Sequence, residues 1–529
     1  MENLIGRGTW LDKLASEIIE RERSLGRSTH LVRVESGLGA SGIPHVGSLG
    51  DALRGYGAKL ALEDQGVKSE LIAFTDDMDG LRKVPAGLGR ELEKYIAMPV
   101  SAIPDPYGCH PSYGGHMGSL LRDALDKVGA EYRFESGAEA YRRNALGAQA
   151  EKILSASDRI GQTIRELTGQ EKYEDSLPYF AICANCGRMY TTRAIGWDPK
   201  SSSVHYRCEG TELREKKIDG CGHEGDARLS KGEGKLSWKV EFAARWAALD
   251  IRFEAYGKDI SDSVKVNDWV AENVLSFHPP FHVQYEMFLD RSGRKISKSA
   301  GNVFTPQMWF RYGSTRSLVL LMYKRIAGTR NLSVADIPKY MDELDYMEDV
   351  YFGKSKVDPP EKLARLRGLY EYTNFLRPPK APSIHIPYRL LAEIAFSAPS
   401  EDVTGYSVRR LQAYKMVTEA TPELLQRIQM ARSWSTEIMG EPPKVDLGEA
   451  ERKAVADLIA SLEGQKEPER VQFEIFEVAK RNGIPPGDFF RLLYEILLGS
   501  EKGPRLGPYI VDTGVKRTSS ALTRAIKQN

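Results

Sequence analysis

A chain of 529 residues, 41% hydrophobic and 28% charged, is long enough for roughly two to four domains with buried cores, and its composition excludes a disordered or low-complexity protein. A formal net charge of +1 excludes a globally basic nucleic-acid binder, so any such surface must be a local patch. No run approaches the roughly 18 apolar residues of a membrane span, and the start, Met1-Glu2-Asn3-Leu4-Ile5-Gly6-Arg7, lacks an apolar signal core, so a cytoplasmic protein without a membrane partner is expected.

Along the chain, Asp12–Arg23 predicts a polar-faced helix and Thr29–Glu35 a short strand carrying Leu31, Val32 and Val34. A glycine-rich stretch follows, and then a helix with Leu49, Leu53, Tyr56 and Leu60 on one face. This pattern is the first βα unit of a nucleotide-binding sheet. Ser69–Phe74 is the next strand; it runs into Thr75-Asp76-Asp77-Met78-Asp79, and polar residues at a strand's carboxyl end fit a ligand crevice. Gly37-Leu38-Gly39-Ala40-Ser41-Gly42 matches G-x-G-x-x-G, with Glu63 or Asp64 about 20 residues on, so a dinucleotide-dependent oxidoreductase is one reading. Pro44 and His45 follow the last of these glycines. They move the helix start beyond the glycines and leave His45 and Gly47 at its amino end, where a histidine beside free N–H groups suits the triphosphate of ATP.

Four of the five cysteines, Cys183, Cys186, Cys208 and Cys221, fall close together and argue for a metal rather than a disulfide framework. Cys183-Ala184-Asn185-Cys186 is a knuckle that presents two thiolates to one tetrahedral ion. Cys208 and Cys221 complete the set, with His223 as the alternative to Cys221. Four protein ligands leave no open position, so a zinc ion there is expected to be structural. After the apolar run Phe281–Leu289 comes Ser292-Gly293-Arg294-Lys295-Ile296-Ser297-Lys298-Ser299. Lys295 and Lys298 can bind phosphate oxygens through charge-assisted hydrogen bonds, and Gly293 lets the loop fold back over a ligand. Beyond the linker Arg377–Pro382, helices are predicted over Glu423–Ile438, Glu449–Leu462, Pro468–Arg481 and Asp488–Leu498, although apolar residues also alternate in Arg470–Val478.

Pro44-His45-Val46-Gly47-Ser48 resembles the first signature of class I aminoacyl-tRNA synthetases, usually His-Ile-Gly-His. Lys295-Ile296-Ser297-Lys298-Ser299 resembles the second, Lys-Met-Ser-Lys-Ser. Three further stretches are similar to class I lysyl-tRNA synthetases in particular: Asp76 to Pro85, Ile103-Pro104-Asp105-Pro106-Tyr107-Gly108-Cys109-His110, and Trp238 to Trp246. The resemblance runs from about Thr29 to Arg505-Leu506-Gly507-Pro508-Tyr509. It implies an α/β fold, a split Rossmann-type parallel-sheet catalytic domain with a zinc-knuckle insertion, followed by an all-α cage. The halves would be 1–175 and 236–300, the insertion 176–235, a connecting stem-contact region 301–360 and the anticodon-binding domain 361–529.

The implied reaction joins L-lysine and ATP, with Mg2+, into lysyl-adenylate and then transfers lysine to tRNA(Lys); a monomer is favoured. By the same resemblance, His45, Lys295 and Lys298 would be catalytic. Pro44, Gly47, Ser48, Gly257, Asp259, Ser297 and Ser299 would join them around ATP. Gly37, Gly39, Asp76, Asp77 and Tyr285 would hold lysine, with Asp76 and Asp77 as the two acidic candidates. Glutamyl or glutaminyl specificity is the alternative within the class. Two departures stand out: Ser48 replaces the usual second histidine, and Ile260 stands where many members carry Gly-Lys-Asp-His. In the helical part, Arg409, Arg410, Lys415, Arg427 and Arg432 are candidate phosphate contacts and Phe489, Phe490 and Trp434 candidate stacking residues.

Overall fold

Five parallel strands carry the first of two units. In the computed structural model, which describes residues 4–527 except 86, 214–215, 291, 295–303, 327, 440–444, 500 and 502, they are β1 (Val32–Leu38), β2 (Ser69–Thr75), β3 (Arg133–Ser136), β4 (Ile251–Gly257) and β5 (Phe281–Tyr285), in the order β5-β4-β1-β2-β3. Chain order reverses on either side of β1, so a crevice opens at the carboxyl ends of β1 and β4. Register places Glu35 of β1 opposite Glu254 of β4, and Gly257 opposite Tyr285 of β5. The expected first strand lies three residues further on than the hydrophobic pattern alone indicates, because Gly37 and Leu38 continue the ladder against Phe74 and Thr75 of β2.

Helix α1 (Trp10–Ser24) opens with a capping box between Thr9 and Asp12. Helix α2 (Val46–Asp64) is buried along most of its length, with Leu49, Leu53, Tyr56 and Leu60 all inside. At Gly55 a Cβ would lie 3.1 Å from Leu71 and 3.3 Å from Val34, so the glycine sets how closely α2 approaches the sheet. Helices α3 (Tyr113–Val128) and α4 (Trp238–Leu249) complete the parts of this unit that shape the crevice.

Between β3 and β4 lies the cysteine-bearing insertion. Thr192–Asp198, Ser203–Cys208 and Glu224–Arg228 form a three-stranded antiparallel sheet, and Gly210–Leu213 pairs with Lys216–Asp219 as a hairpin. Val204, Tyr206 and Ala227 share one apolar cluster with Ile153, Ile164 and Trp246, so the insertion is packed into the unit rather than tethered to it.

The first unit comprises Met1–Gln307, Val319–Leu332 and Val357–Pro378; the second comprises Met308–Leu318, Ser333–Lys356 and Pro379–Asn529. The helix Pro360–Thr373, read from sequence as the start of the helical domain, belongs to the first unit, where the Tyr372 hydroxyl donates to Asp12 at 2.8 Å. The second unit is helical. Pro468–Arg481 is a helix despite its alternating stretch, because Val471, Ile475, Val478 and Ala479 fall on one buried face. Among the described residues no helix is long and apolar enough to cross a membrane.

Candidate active site

At the amino end of α2, His45 is the N-cap residue, with extended backbone (φ −105°, ψ 168°). Its Nδ1 accepts the Ser48 backbone N–H at 3.2 Å. That bond fixes the tautomer, so in the neutral ring the proton sits on Nε2, which can then donate to an anionic ligand. A Cβ at Gly47 would lie 2.9 Å from His45 Cε1 and Nδ1, so only glycine lets the imidazole fold over the helix start. The Val46 N–H donates to the Phe304 carbonyl at 2.8 Å, which ties the start of α2 to a residue five positions beyond the second signature. On the other side of that signature, Gly293 (φ 78°) closes a tight turn in which the Asp290 N–H reaches the Arg294 carbonyl at 2.7 Å. Lys295, Ser297, Lys298 and Ser299 themselves lie outside the described residues.

The crevice brings together Gly37, Gly39, His45, Gly47, Ser48, Asp76, Gly257, Asp259 and Tyr285 from five separate segments. Pro44 and Asp77 are not among the side chains that line it. Asp77 faces away: its carboxylate accepts the Ser136 hydroxyl at 2.6 Å and the Ala138 N–H at 2.7 Å, at the start of the helix Gly137–Arg142. Tyr285 is buried, and the Arg54 guanidinium covers its ring at 4.2 Å. Ile260 lines the crevice with Trp238, Phe242 and Tyr256, so the departure at this position adds to an apolar wall.

Beneath this wall is a charged layer that the sequence reading did not assemble. Arg245, 1% exposed on α4, pairs with Glu35 and with Asp76 (3.0 Å), and Glu254 stands at 3.8 Å. Three carboxylates thus surround one guanidinium. Glu35 Oε2 has no hydrogen-bond partner among the described residues. Burial pushes the Glu35 carboxyl up to about 8 and Asp76 up to about 7, although Arg245 pulls both down. Burial opposes the charge on Arg245, yet Glu35, Asp76 and Glu254 outweigh it and raise its pKa. Next to this group, Lys235 bridges Asp79 (2.6 Å) and Glu241 (2.7 Å), again two acids to one base. Under and beside the crevice, these two groups together hold five carboxyls, those of Glu35, Asp76, Glu254, Asp79 and Glu241, to two cations, Arg245 and Lys235.

The oxidoreductase reading fails on position. Helix α2 starts at Val46, beyond the glycines, and its acidic residues lie at the far end, where Glu63 pairs with Lys59 and Asp64 with Arg7. Over 19 residues at about 1.5 Å each, that end is roughly 28 Å from the crevice, too far to reach a ribose there.

In the insertion, the sulfurs of Cys183, Cys186, Cys208 and Cys221 all lie within 4.8 Å of one another, with Cys183 Sγ 3.5 Å from Cys221 Sγ and Cys186 Sγ 3.8 Å from Cys208 Sγ. Four thiolates on a tetrahedral zinc would sit roughly 3.8 Å apart, so the cluster has the dimensions of such a site.

Residues 8–375 match the family model described as tRNA synthetases class I (K). Over 523 residues the chain is 50% identical to a lysine–tRNA ligase of Cenarchaeum symbiosum (strain A), covering 99% of both chains. The chain belongs to the class I lysyl-tRNA synthetases. More distant members are a lysine–tRNA ligase of Rickettsia felis, 30% identical over 527 residues (98% of this chain, 97% of the relative), and one of Haloarcula marismortui, 31% identical over 537 residues (96% and 95%). The synthetase's first signature is thus built by α2 and its N-cap, at the point where the strand order reverses.

Proposed function

We infer that this chain is a lysine–tRNA ligase, which activates L-lysine with ATP as lysyl-adenylate and transfers lysine to the 3′ end of tRNA(Lys). The observation that carries the substrate assignment is the excess of buried carboxylate over guanidinium around Asp76, joined to near full-length identity with lysine–tRNA ligases. A lysine ε-ammonium beside Asp76 favours the ionised form of these raised carboxyls, whereas a glutamate side chain would add a further negative charge.

In the first step a carboxylate oxygen of lysine attacks the α-phosphorus, and the bond to the departing pyrophosphate breaks. No proton needs to move, so positioning and charge neutralisation are the main demands on the protein. The His45 Nε2–H and the start of α2 face the triphosphate, and Lys295 and Lys298 cover it from the second signature. Magnesium bound with ATP would supply further positive charge to the phosphates. Gly257 and Asp259 border the ribose, while Gly37, Gly39 and Tyr285 enclose the lysine stem.

Asp76 is the proposed acceptor, and Asp77 is an internal cap. Asp76→Asn is expected to raise the lysine KM by roughly tenfold or more, the scale of a hydrogen bond to a charged group. Asp77→Asn should leave that KM within about twofold while lowering the melting temperature, because it weakens the hold on Ser136 and Ala138. Since the Asp76 carboxyl sits up at about 7, the wild-type lysine KM should rise as pH falls through that value. A KM that moves with Asp77 and not with Asp76 contradicts the assignment.

A structural zinc on Cys183, Cys186, Cys208 and Cys221 is also proposed, with Cys221 favoured over His223 because its sulfur completes the cluster. Burial pushes the Cys186 thiol up to about 12, so a cation is what would hold it as thiolate. Cys186→Ser is expected to lose zinc and lower the melting temperature; unchanged metal content and melting would remove this site.

For tRNA, the proposed stacking residues shift. Trp434 and Phe489 are buried, and Arg427 is a buried bidentate partner of Asp345 (2.6 and 2.7 Å). Arg409 and Arg410 pair with Asp402 and Asp512, and Arg432 donates to the carbonyls of Ala395 and Phe396. Phe473 and Phe476 are instead exposed on the helix Pro468–Arg481, with Phe490 against Phe476 at 4.8 Å, a platform on which bases can stack. Charging of a tRNA(Lys) transcript with lysine tests the whole function; no charging by protein that still forms the adenylate would place the fault in tRNA binding.

A further inference from the structure

Outside the crevice, a row of cations and rings leads away from Trp238. The Arg82 guanidinium, exposed in the segment that follows β2, lies 5.9 Å from the Trp238 ring centre and 5.4 Å from that of Tyr190. Tyr190 meets Phe180 edge to face at 5.1 Å, and the exposed Lys172 ammonium stands 5.1 Å from the Phe180 ring centre. Trp238 itself lines the crevice, so the row is continuous with it. We propose that Lys172, Phe180, Tyr190, Arg82 and Trp238 form a track along which the single-stranded 3′ end of tRNA enters the crevice, a role that rests on the reading of this chain as a lysine–tRNA ligase.

Charge sets the row apart. Among the described residues, neither Arg82 nor Lys172 has a carboxylate within ion-pair distance. Asp79, the acid next to Arg82, is already held by Lys235 (2.6 Å) and by the Trp238 indole N–H (3.1 Å). Burial pulls the Lys172 ammonium down, with no acid beside it to hold it up. Other basic side chains of the insertion are paired: Arg207 with Glu224, Lys216 with Glu93 and Arg228 with Glu233. Two cations without acid partners, at the edge of a crevice rich in carboxylates, favour the approach of a polyanion that the crevice itself would repel.

The alternation of rings and cations is the pattern that holds a single strand, with bases stacked on rings and phosphates bonded to cations. Phe180, Tyr190 and Trp238 are half-buried, so each leaves part of its ring at the surface. A guanidinium lying beside such rings keeps its N–H edge for a phosphate, which it binds through two parallel hydrogen bonds. The row is also held in place. The Tyr190 hydroxyl accepts the Gly80 N–H at 3.2 Å, and a Cβ at Gly80 would lie 2.6 Å from the Tyr190 ring, so glycine lets the ring rest against the segment that carries Arg82. That segment is pinned in turn, with the Leu81 N–H on the Met98 carbonyl (2.9 Å) and the Ala97 N–H on the Leu81 carbonyl (2.8 Å). Lysine and ATP fill the crevice, and the third reactant must bring its terminal ribose in from solvent while the phosphates of the preceding nucleotides lie along the edge.

The test measures binding of the full chain to tRNA(Lys) and to the same RNA lacking its last three nucleotides. Arg82→Ala and Lys172→Ala should each weaken binding of the intact RNA by roughly tenfold, the scale of a hydrogen bond to a charged group, and leave the truncated RNA within about twofold. Each should also flatten the slope of log affinity against log salt by about 0.7, the value of one phosphate on a single strand, and Arg82→Lys should restore that slope. In charging assays the tRNA KM should rise, while the lysine KM at saturating tRNA stays within about twofold. Equal losses with both RNAs, no loss with either, or an unchanged salt slope overturns the track. Wild-type protein that does not charge tRNA(Lys) at all would remove the ligase reading and the track with it, a failure separable from lost selectivity for the 3′ end.

Discussion

Arg245→Ala is expected to destabilise the fold by about 3–5 kcal/mol, the scale of breaking a buried ion pair and leaving its partners unpaired. Its loss leaves Glu35 and Glu254, opposite one another in the parallel register, and Asp76 with no counter-charge between them. The deficit should depend on pH with a definite sign. A carboxyl whose folded pKa is raised contributes stability at low pH and loses it as pH rises from its unfolded value, about 4, through its folded one. Glu35 and Asp76 already sit at about 8 and 7 with Arg245 present, and without it they should move higher. Denaturant unfolding should therefore show a smaller deficit at pH 5.5 than at pH 8.5. A deficit independent of pH would mean that the loss is of packing against Phe74, whose ring lies 4.2 Å from the guanidinium, rather than of charge balance.

Lys298→Ala is expected to slow lysine-dependent ATP–pyrophosphate exchange by two orders of magnitude or more, the scale of removing a preorganised transition-state donor. Negative charge gathers on the pyrophosphate as its bond to the α-phosphorus breaks. The groups proposed to meet it are the His45 Nε2–H, the start of α2, Lys295 and Lys298. Of these, the α2 end is built into the sheet crevice and is present before ATP arrives, whereas an ammonium on a four-carbon stem can follow the phosphates. The effect should thus fall mainly on kcat, with a smaller change in the ATP KM. Near-normal exchange in this variant would remove Lys298 from the reaction.

Much of the crevice was legible in the sequence because its parts are local: a strand, a glycine-rich stretch, His45 at a helix start and Gly257 at a strand end each announce themselves within a few residues. What was not legible depended on pairing or on facing. Glu35 and Glu254 are charges inside apolar strands, a signal that something must neutralise them, yet only the register shows that they oppose one another and that Arg245 lies between them. Asp76 and Asp77 are neighbours in the turn that follows β2, and only the fold shows that one lines the crevice and the other caps a helix. Trp434 and Phe489 follow helical spacing as Phe473 and Phe476 do, and only packing separates the buried pair from the exposed one. The convergence of Asp105, Cys109, His110 and His116 was hidden because Gly108 and the start of α3 bring these separated side chains together.

The central claim, that a cationic amino acid fills the carboxylate-rich floor of the crevice, is tested most directly by measuring which amino acid drives exchange of pyrophosphate into ATP, with and without tRNA. Lysine should support exchange, while glutamate and glutamine at equal concentration should not rise above background. Exchange driven by glutamate or glutamine, with lysine inactive, would contradict the account.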